Sequence, residues 1–368
     1  MNIVFTRFPL ESRHGGAEVQ TLALMKGLQE RGHEVMFLGS CPVLLEETKK
    51  LRMKNEELRI GPPPVSKWNA LSFLWRCFDM RRKLHSLFFI LHSQFRFDAV
   101  VMLSLSEKLL LTPLLHKQGI KIIWIEHDRI GRWLTRNPWL PRLRKLSRYA
   151  TTIVVSDLSK MMYERLGFAN VVAIPNGIDT SRLTRRNPQP VTHNPKLLRI
   201  GTIARLSKDK GVDILIEAVK DLENVSLNIV GTGSEEATLL SAISNLPHIT
   251  ITAHIDDLAE FYTSLDLFVL SSRDHDPFGL VAGEAMMLGV PVIVTDTCGI
   301  AGYLTHEHDA LIVPTGSLQE LRKATMHLQH HPEKRSLLAT VGKATAEEKF
   351  SIEKMVERYE GILHVMKN

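Results

Sequence analysis

The chain has 368 residues, 44% of them hydrophobic and 23% charged. That is the makeup of a soluble globular protein, above the size at which one core usually stops growing, so two domains are expected. Its net charge of +6 is uneven: residues 1–190 hold 30 Lys and Arg against 16 Asp and Glu, a net of +14, and the remainder holds 16 against 24. Three cysteines, Cys41, Cys77 and Cys298, have neither even number nor metal-ligand spacing, which excludes a disulfide framework and leaves them reduced and buried.

The pattern opens directly on a strand, with no basic region, apolar core or cleavage site before it, so no signal peptide is expected. Apolar runs such as 87–91 are far shorter than the ~20 residues that span a bilayer. A cytoplasmic location follows as the expectation. The positive first half calls for an anionic partner. No helix-turn-helix, zinc or aromatic RNA-binding signature accompanies the charge, so nucleic acid is not expected and a membrane surface fits better.

Strand-like runs alternate with helical patterns, which predicts parallel sheets covered by helices. In chain order the first-half strands are 2–6, 34–38, 99–103, 121–125, 151–155 and 171–174. The pattern restarts at 198–203 and continues at 226–230, 249–251, 267–270, 291–294 and 310–313. Prolines and polar residues from Arg185 to Pro195 mark a linker. Domains at 1–190 and 191–345 are therefore expected, each doubly wound, facing across a cleft. Ligands of such sheets sit outside the carboxyl ends of the strands.

Candidate motifs stand at those ends. His14-Gly15-Gly16-Ala17-Glu18 joins the first strand to a helix, where consecutive glycines let backbone approach a phosphate and Gly16 is best placed for contact; a bare tight turn is the plainer alternative. Glu126-His127-Asp128 ends another strand; His127 is either structural or a neutral donor to a sugar oxygen. Ile174-Pro175-Asn176-Gly177-Ile178-Asp179 reads mainly as a structural turn. Arg205-Leu206-Ser207-Lys208-Asp209-Lys210-Gly211 presents a planar fork and a point charge that can neutralise a diphosphate from two sides, unless it is a solvated basic loop. Gly231-Thr232-Gly233 opens a helix, weak evidence taken alone. Asp274-His275-Asp276-Pro277-Phe278-Gly279-Leu280 leads into a helix bearing Glu284. Carboxylates beside a helix start suit sugar or ribose hydroxyls.

This last arrangement resembles the nucleotide-sugar site of retaining glycosyltransferases of family 4, whose pattern is Glu, seven residues, Glu, with Asp276 here in the first place. The Arg205–Lys210 loop looks like the family's Gly-Arg-Leu…Lys-Gly element, with Ala204 where glycine is usual. The resemblance extends to Gly15-Gly16, His127, Pro175-Asn176-Gly177 and the Gly231/Gly233 loop, while the family's His-x-His near 102–107 is missing. It implies a GT-B fold whose final helix, about 346–368, crosses back onto the first domain. It further implies transfer of a sugar from a nucleotide diphosphate donor, without metal or other cofactor, to an acceptor such as a lipid-linked saccharide or cell-envelope polysaccharide or lipopolysaccharide precursor. Arg205 and Lys210 would stabilise the departing diphosphate, Asp276 with the Phe278–Leu280 amides would hold the sugar, and Glu284 the ribose. Gly15, Gly16, Gly231 and Gly233 would line the donor, and His127 would join Arg205, Lys210 and Asp276 as a catalytic residue near it. A sugar-nucleotide epimerase of similar fold and a non-catalytic glycan- or nucleotide-binding member are the alternatives.

Two segments are basic and aromatic together, from Lys67 through Trp75 to Phe89 and from Arg132 through Trp133 and Trp139 to Arg148. Both suit peripheral contact with an anionic membrane, on the inner face of the plasma membrane, with Trp75 and Trp133 as anchors; for the first segment taken alone, an ordinary amphipathic core helix fits equally well.

Overall fold

A computed structural model describes residues 1–9, 15–183 and 196–365. His14, the expected linker at 185–195 and the last three residues lie outside the described residues. The chain forms two compact units, Met1–Gly177 with Ile352–Asn368, and Ile178–Ser351.

The first unit runs β1 (Asn2–Arg7), α1 (Gly16–Glu30), β2 (Glu34–Gly39), α2 (Pro42–Lys50), β3 (Lys54–Glu57), α3 (Lys67–Gln94), β4 (Ala99–Met102), α4 (Leu105–Lys117), β5 (Lys121–Glu126), α5 (Arg132–Thr135), α6 (Leu140–Ser147), β6 (Thr151–Val154), α7 (Asp157–Arg165) and β7 (Val171–Ala173). Its parallel sheet has the order β3-β2-β1-β4-β5-β6-β7, reversing direction of progress between β1 and β4. Successive side chains leave a strand on opposite faces. Val4, Val100, Ile122 and Trp124 thus join Phe73, Leu84 and Leu111 in one core, whereas Ile3, Phe5, Val101 and Ile123 join Leu24, Leu28 and Val356 in the other. That two-sided burial is why these strands read as continuous apolar runs.

The second unit runs β8 (Leu198–Ile203), α8 (Val212–Val219), β9 (Val225–Val230), α9 (Glu236–Ala242), β10 (Ile249–Thr252), α10 (Leu258–Thr263), β11 (Leu267–Leu270), α11 (Leu280–Met287), β12 (Val292–Thr295), β13 (Leu311–Val313), α12 (Leu318–His330) and α13 (Pro332–Phe350). The sheet is again parallel, in the order β10-β9-β8-β11-β12-β13. α14 (Ile352–Val365) follows an extended Ser351 and returns to the first unit, where Met355, Val356, Tyr359 and Leu363 are buried beside α1.

Two features differ from the sequence expectations. The compact units part at Gly177 and Ser351 rather than at 190 and 346, because α13 belongs to the second sheet and the chain breaks its helical course at Ser351 (φ −68°, ψ 154°). β3, Lys-Asn-Glu-Glu, has no apolar pattern, yet it pairs with β2 along Met36↔Lys54 to Gly39↔Glu57 as a charged edge strand. Residues 67–94 form a single 28-residue helix, capped at its start by the Ser66 hydroxyl accepting from Asn69 N–H.

Candidate functional site

At the carboxyl ends of β8, β9 and β11 in the second unit, three loops are stitched together by backbone. Leu206 N–H donates to Thr232 O (2.9 Å) and Glu235 N–H donates back to Leu206 O (2.9 Å). Arg273 N–H donates to Asp209 O at 2.8 Å, joining the Arg205–Gly211 loop to the segment after β11. Such closeness needs glycine. A side chain at Gly231 (φ 148°) would collide with the Ala204 carbonyl, and one at Gly233 with the Leu206 carbonyl. The glycine pair therefore supports the basic loop from beneath.

The loop aims its two cations differently. Lys210 Nζ lies 2.6 Å from Asp276 Oδ2, with both side chains largely covered. The Arg205 side chain stays 67% exposed and reaches Asp209 only at 3.3 Å, so it is available to an anion. Asp276 is held by backbone on both sides: its N–H donates to Thr297 O (3.1 Å) and its carbonyl accepts from Gly299 N–H (2.9 Å). The Ser272 hydroxyl also faces its carboxylate at 3.4 Å. Buried beside it, the Cys298 thiol is pushed up to about 12, first by burial and then by the Asp276 charge.

From Asp276 the chain turns into α11 through Gly279, which caps the helix at φ 90°. Leu280 begins the helix; the Ala282 and Gly283 N–H groups donate back to Gly279 O at 3.0 and 3.4 Å, whereas Leu280 and Val281 have no carbonyl one turn earlier to bond. The Phe278 ring does not face outward. It is buried, edge-on to Phe350 with centroids 5.4 Å apart, so its contribution to a site is limited to backbone. One turn along α11, Glu284 accepts a hydrogen bond from the Tyr262 hydroxyl at 2.8 Å. Burial, and then the Glu284 carboxylate, hold the Tyr262 pKa well above its ordinary value, so the phenol stays a donor. Tyr262 and Ser272 were missed from sequence. A buried tyrosine in a short helix and a serine after a strand carry no local signal of what they support.

The second unit thus gathers Arg205, Lys210, Gly231, Gly233, Asp276, Phe278, Gly279, Leu280 and Glu284. Gly15, Gly16 and His127 belong to the other unit. Gly15 is the extended N-cap of α1 and Gly16 its first residue, with Glu18 of that first turn accepting from Arg7 Nη2 at 2.6 Å. His127 follows β5, and neither of its buried ring nitrogens has a hydrogen-bond partner among the described residues. Its pKa falls to about 3, through burial first and then the charges of Arg7 and Lys108, so the ring is neutral.

Residues 14–182 match the family described as Glycosyltransferase Family 4, and residues 184–345 match Glycosyl transferases group 1. A capsular polysaccharide biosynthesis glycosyltransferase of Staphylococcus aureus is 27% identical over 223 residues, 57% of each chain. A lipopolysaccharide core biosynthesis glycosyltransferase of Rhizobium meliloti is 32% identical over 160 residues, covering 43% of this chain and 46% of that one. The chain spans about half the length of these curated relatives. The structure of Anabaena HepE in complex with UDP superposes with a TM-score of 0.80 at 18% identity, covering 99% of this chain and 100% of the other, a likeness of fold.

Proposed function

The chain belongs to glycosyltransferase family 4 and has its GT-B fold, and on that premise we propose that it transfers a sugar, with retention, from a nucleotide diphosphate donor to a cell-envelope glycan precursor. The observation that carries this reading is the Lys210–Asp276 pair at 2.6 Å, placed between two glycine-bearing loops and the start of α11, with exposed Arg205 on the same loop. Arg205 and Lys210 take the charge that develops on the departing diphosphate, usually a large share of the rate in such chemistry. Asp276, already bonded to Lys210, couples the transferred sugar to that phosphate end, assisted by the backbone amides of Phe278 to Leu280. Glu284, oriented by Tyr262, accepts from the ribose hydroxyls. The leaving phosphate receives the acceptor's proton on the face from which it departs, so no enzymic nucleophile is needed. With two cations supplied by the protein, no resident metal is required.

The names of the capsular and lipopolysaccharide-core relatives support an envelope acceptor, and the +14 charge of residues 1–190 supports one carried at an anionic membrane surface. The test is a scan of nucleotide sugars for slow hydrolysis by the intact chain in EDTA, with calorimetry of the matching nucleoside diphosphate. Hydrolysis of one donor class that Arg205→Ala/Lys210→Ala abolishes is the expected result. Unchanged diphosphate affinity in that double variant would refute the phosphate site. Tight binding with no turnover of any donor would instead favour a non-catalytic nucleotide-binding member.

A further inference from the structure

α3 has two faces with opposite environments. Phe73, Met80, Leu84, Phe88 and Leu91 pack into the first unit's core. At about 100° per residue the far side of the helix carries Trp68, Leu71, Trp75, Phe78 and Phe89 in one stripe. Their exposures are 78%, 49%, 88%, 78% and 76%, and Leu74 at 58% widens the stripe at its start. Soluble monomers seldom carry so long an apolar strip without a partner for it.

The charge around the strip indicates which partner. α3 contains Lys67, Arg76, Arg81, Arg82 and Lys83 against the single acid Asp79, and Arg81, Arg82 and Lys83 are exposed. The cationic α6 is fastened to the same helix at its N-cap: the Trp139 indole donates to Ala70 O at 3.1 Å and meets Phe73 edge-on with centroids 5.1 Å apart, while Asn137 donates to Pro64 O, in the segment leading into α3, at 2.7 Å. Arg142, Arg144, Lys145 and Arg148 of that neighbouring segment are exposed. Trp133, by contrast, is packed on the core with its indole donating to Arg129 O at 3.0 Å, so the aromatic anchors belong to α3 and not to the second segment.

We infer that the outward stripe of α3 inserts into an anionic lipid bilayer, the helix lying in the plane of the headgroups and the arginines of α3 and α6 engaging acidic lipid. A second copy of the chain fits less well, because a two-fold contact would set like charges against each other. The stripe is interleaved with cations, unlike the dry, charge-poor centre of a protein interface. Among the described residues no helix is long and apolar enough to cross a membrane, so α3 lies on the bilayer. The inference rests on the membrane-proximal acceptor proposed above but not on the donor chemistry.

Flotation of the intact protein with vesicles tests it, comparing phosphatidylcholine alone with phosphatidylcholine plus phosphatidylglycerol. Binding is expected on the anionic vesicles, weakening with salt. Trp75→Ser/Phe78→Ser should lower partitioning roughly tenfold or more while thermal unfolding and nucleoside diphosphate affinity stay unchanged. Trp133→Phe should leave partitioning unaffected. The inference is overturned by no binding to anionic vesicles, by equal binding of the stripe variant, or by self-association that the stripe variant abolishes while vesicles are ignored. Vesicle binding without any donor binding would remove the enzymatic reading and leave this surface standing.

Discussion

Both sheets put charged side chains at the carboxyl ends of the strands where their order reverses, β1/β4 in one unit and β8/β11 in the other, yet the two clusters are opposite in character. In the first unit Lys108 of α4 bonds Glu126 at 2.8 Å, with side chains only 2% and 11% exposed, and adds a bond to Ile125 O at 3.0 Å. Its neighbour Glu107 is fully buried; one carboxylate oxygen accepts from Ser104 N–H at 2.6 Å, and Oε2 has no partner among the described residues. In the second unit the Lys210–Asp276 pair is more open and Arg205 stands in solvent. The difference lies in what covers the strand ends. An apolar helix brings Lys108 in under cover, whereas short glycine loops leave Arg205 in solvent and Lys210 less covered than Lys108. Topology alone does not make a ligand site; the covering element decides whether charge is spent internally or left for a ligand.

The sharpest way to break this comparison is Lys108→Met, which leaves Glu126 buried and unpaired. A loss of about 3–5 kcal/mol in denaturant unfolding is expected, and a loss below about 1 kcal/mol would place Lys108 with the surface cations. Next is pH. Burial raises the Glu107 pKa from 4.5 to about 7, against smaller opposing contributions from its hydrogen bonds and from Lys108 and Arg7. The folded carboxyl keeps a proton that the unfolded chain loses, so this group's stabilisation is present below pH 4.5 and lost as pH rises through 7, up to about 3 kcal/mol. His127 acts in the opposite sense. The unfolded chain takes a proton below 6.5 and the folded ring does not until about 3, so stability is lost as pH falls through that range. The two slopes oppose each other between 4.5 and 6.5. Glu107→Gln should uncover a stability that rises with pH there, and His127→Gln one that falls; equal slopes in both variants would contradict these assignments.

The open cluster is sharpened by ligand rather than by denaturant. Arg205→Ala and Lys210→Ala should each cost about 1.5–3 kcal/mol in nucleoside diphosphate affinity by calorimetry. Glu284→Gln should weaken nucleotide and nucleotide sugar together, while Asp276→Asn should spare the bare nucleotide and depress turnover; nucleotide affinity intact in both would overturn that division. The smallest effect expected is that of Arg205→Ala on stability, within about 0.5 kcal/mol, since an exposed cation bonded at 3.3 Å to Asp209 contributes little to the fold.

What the sequence determined by itself is whatever local period and local backbone chemistry control. The apolar runs at 2–6, 99–103 and 267–270 became buried parallel strands because Ile3 to Thr6, Ala99 to Met102 and Leu267 to Leu270 are covered on both faces of their sheets. Gly231 and Gly279 occupy positive-φ positions at loop and helix start because few other residues take that backbone. The carboxylates at 276 and 284 were legible through their place beside a helix start. Tertiary structure decided the rest. Lys-Asn-Glu-Glu at 54–57 is a strand only because β2 offers it an edge. Lys210 meets Asp276 across 66 positions of chain, and Lys108 meets Glu126 across 18, pairings set by which strands adjoin. Trp75 and Trp139 carry the same basic surroundings in sequence, yet one points to solvent and the other is clamped against Phe73. Which face of a helix a neighbour covers is a property of packing, and no window of local sequence contains it.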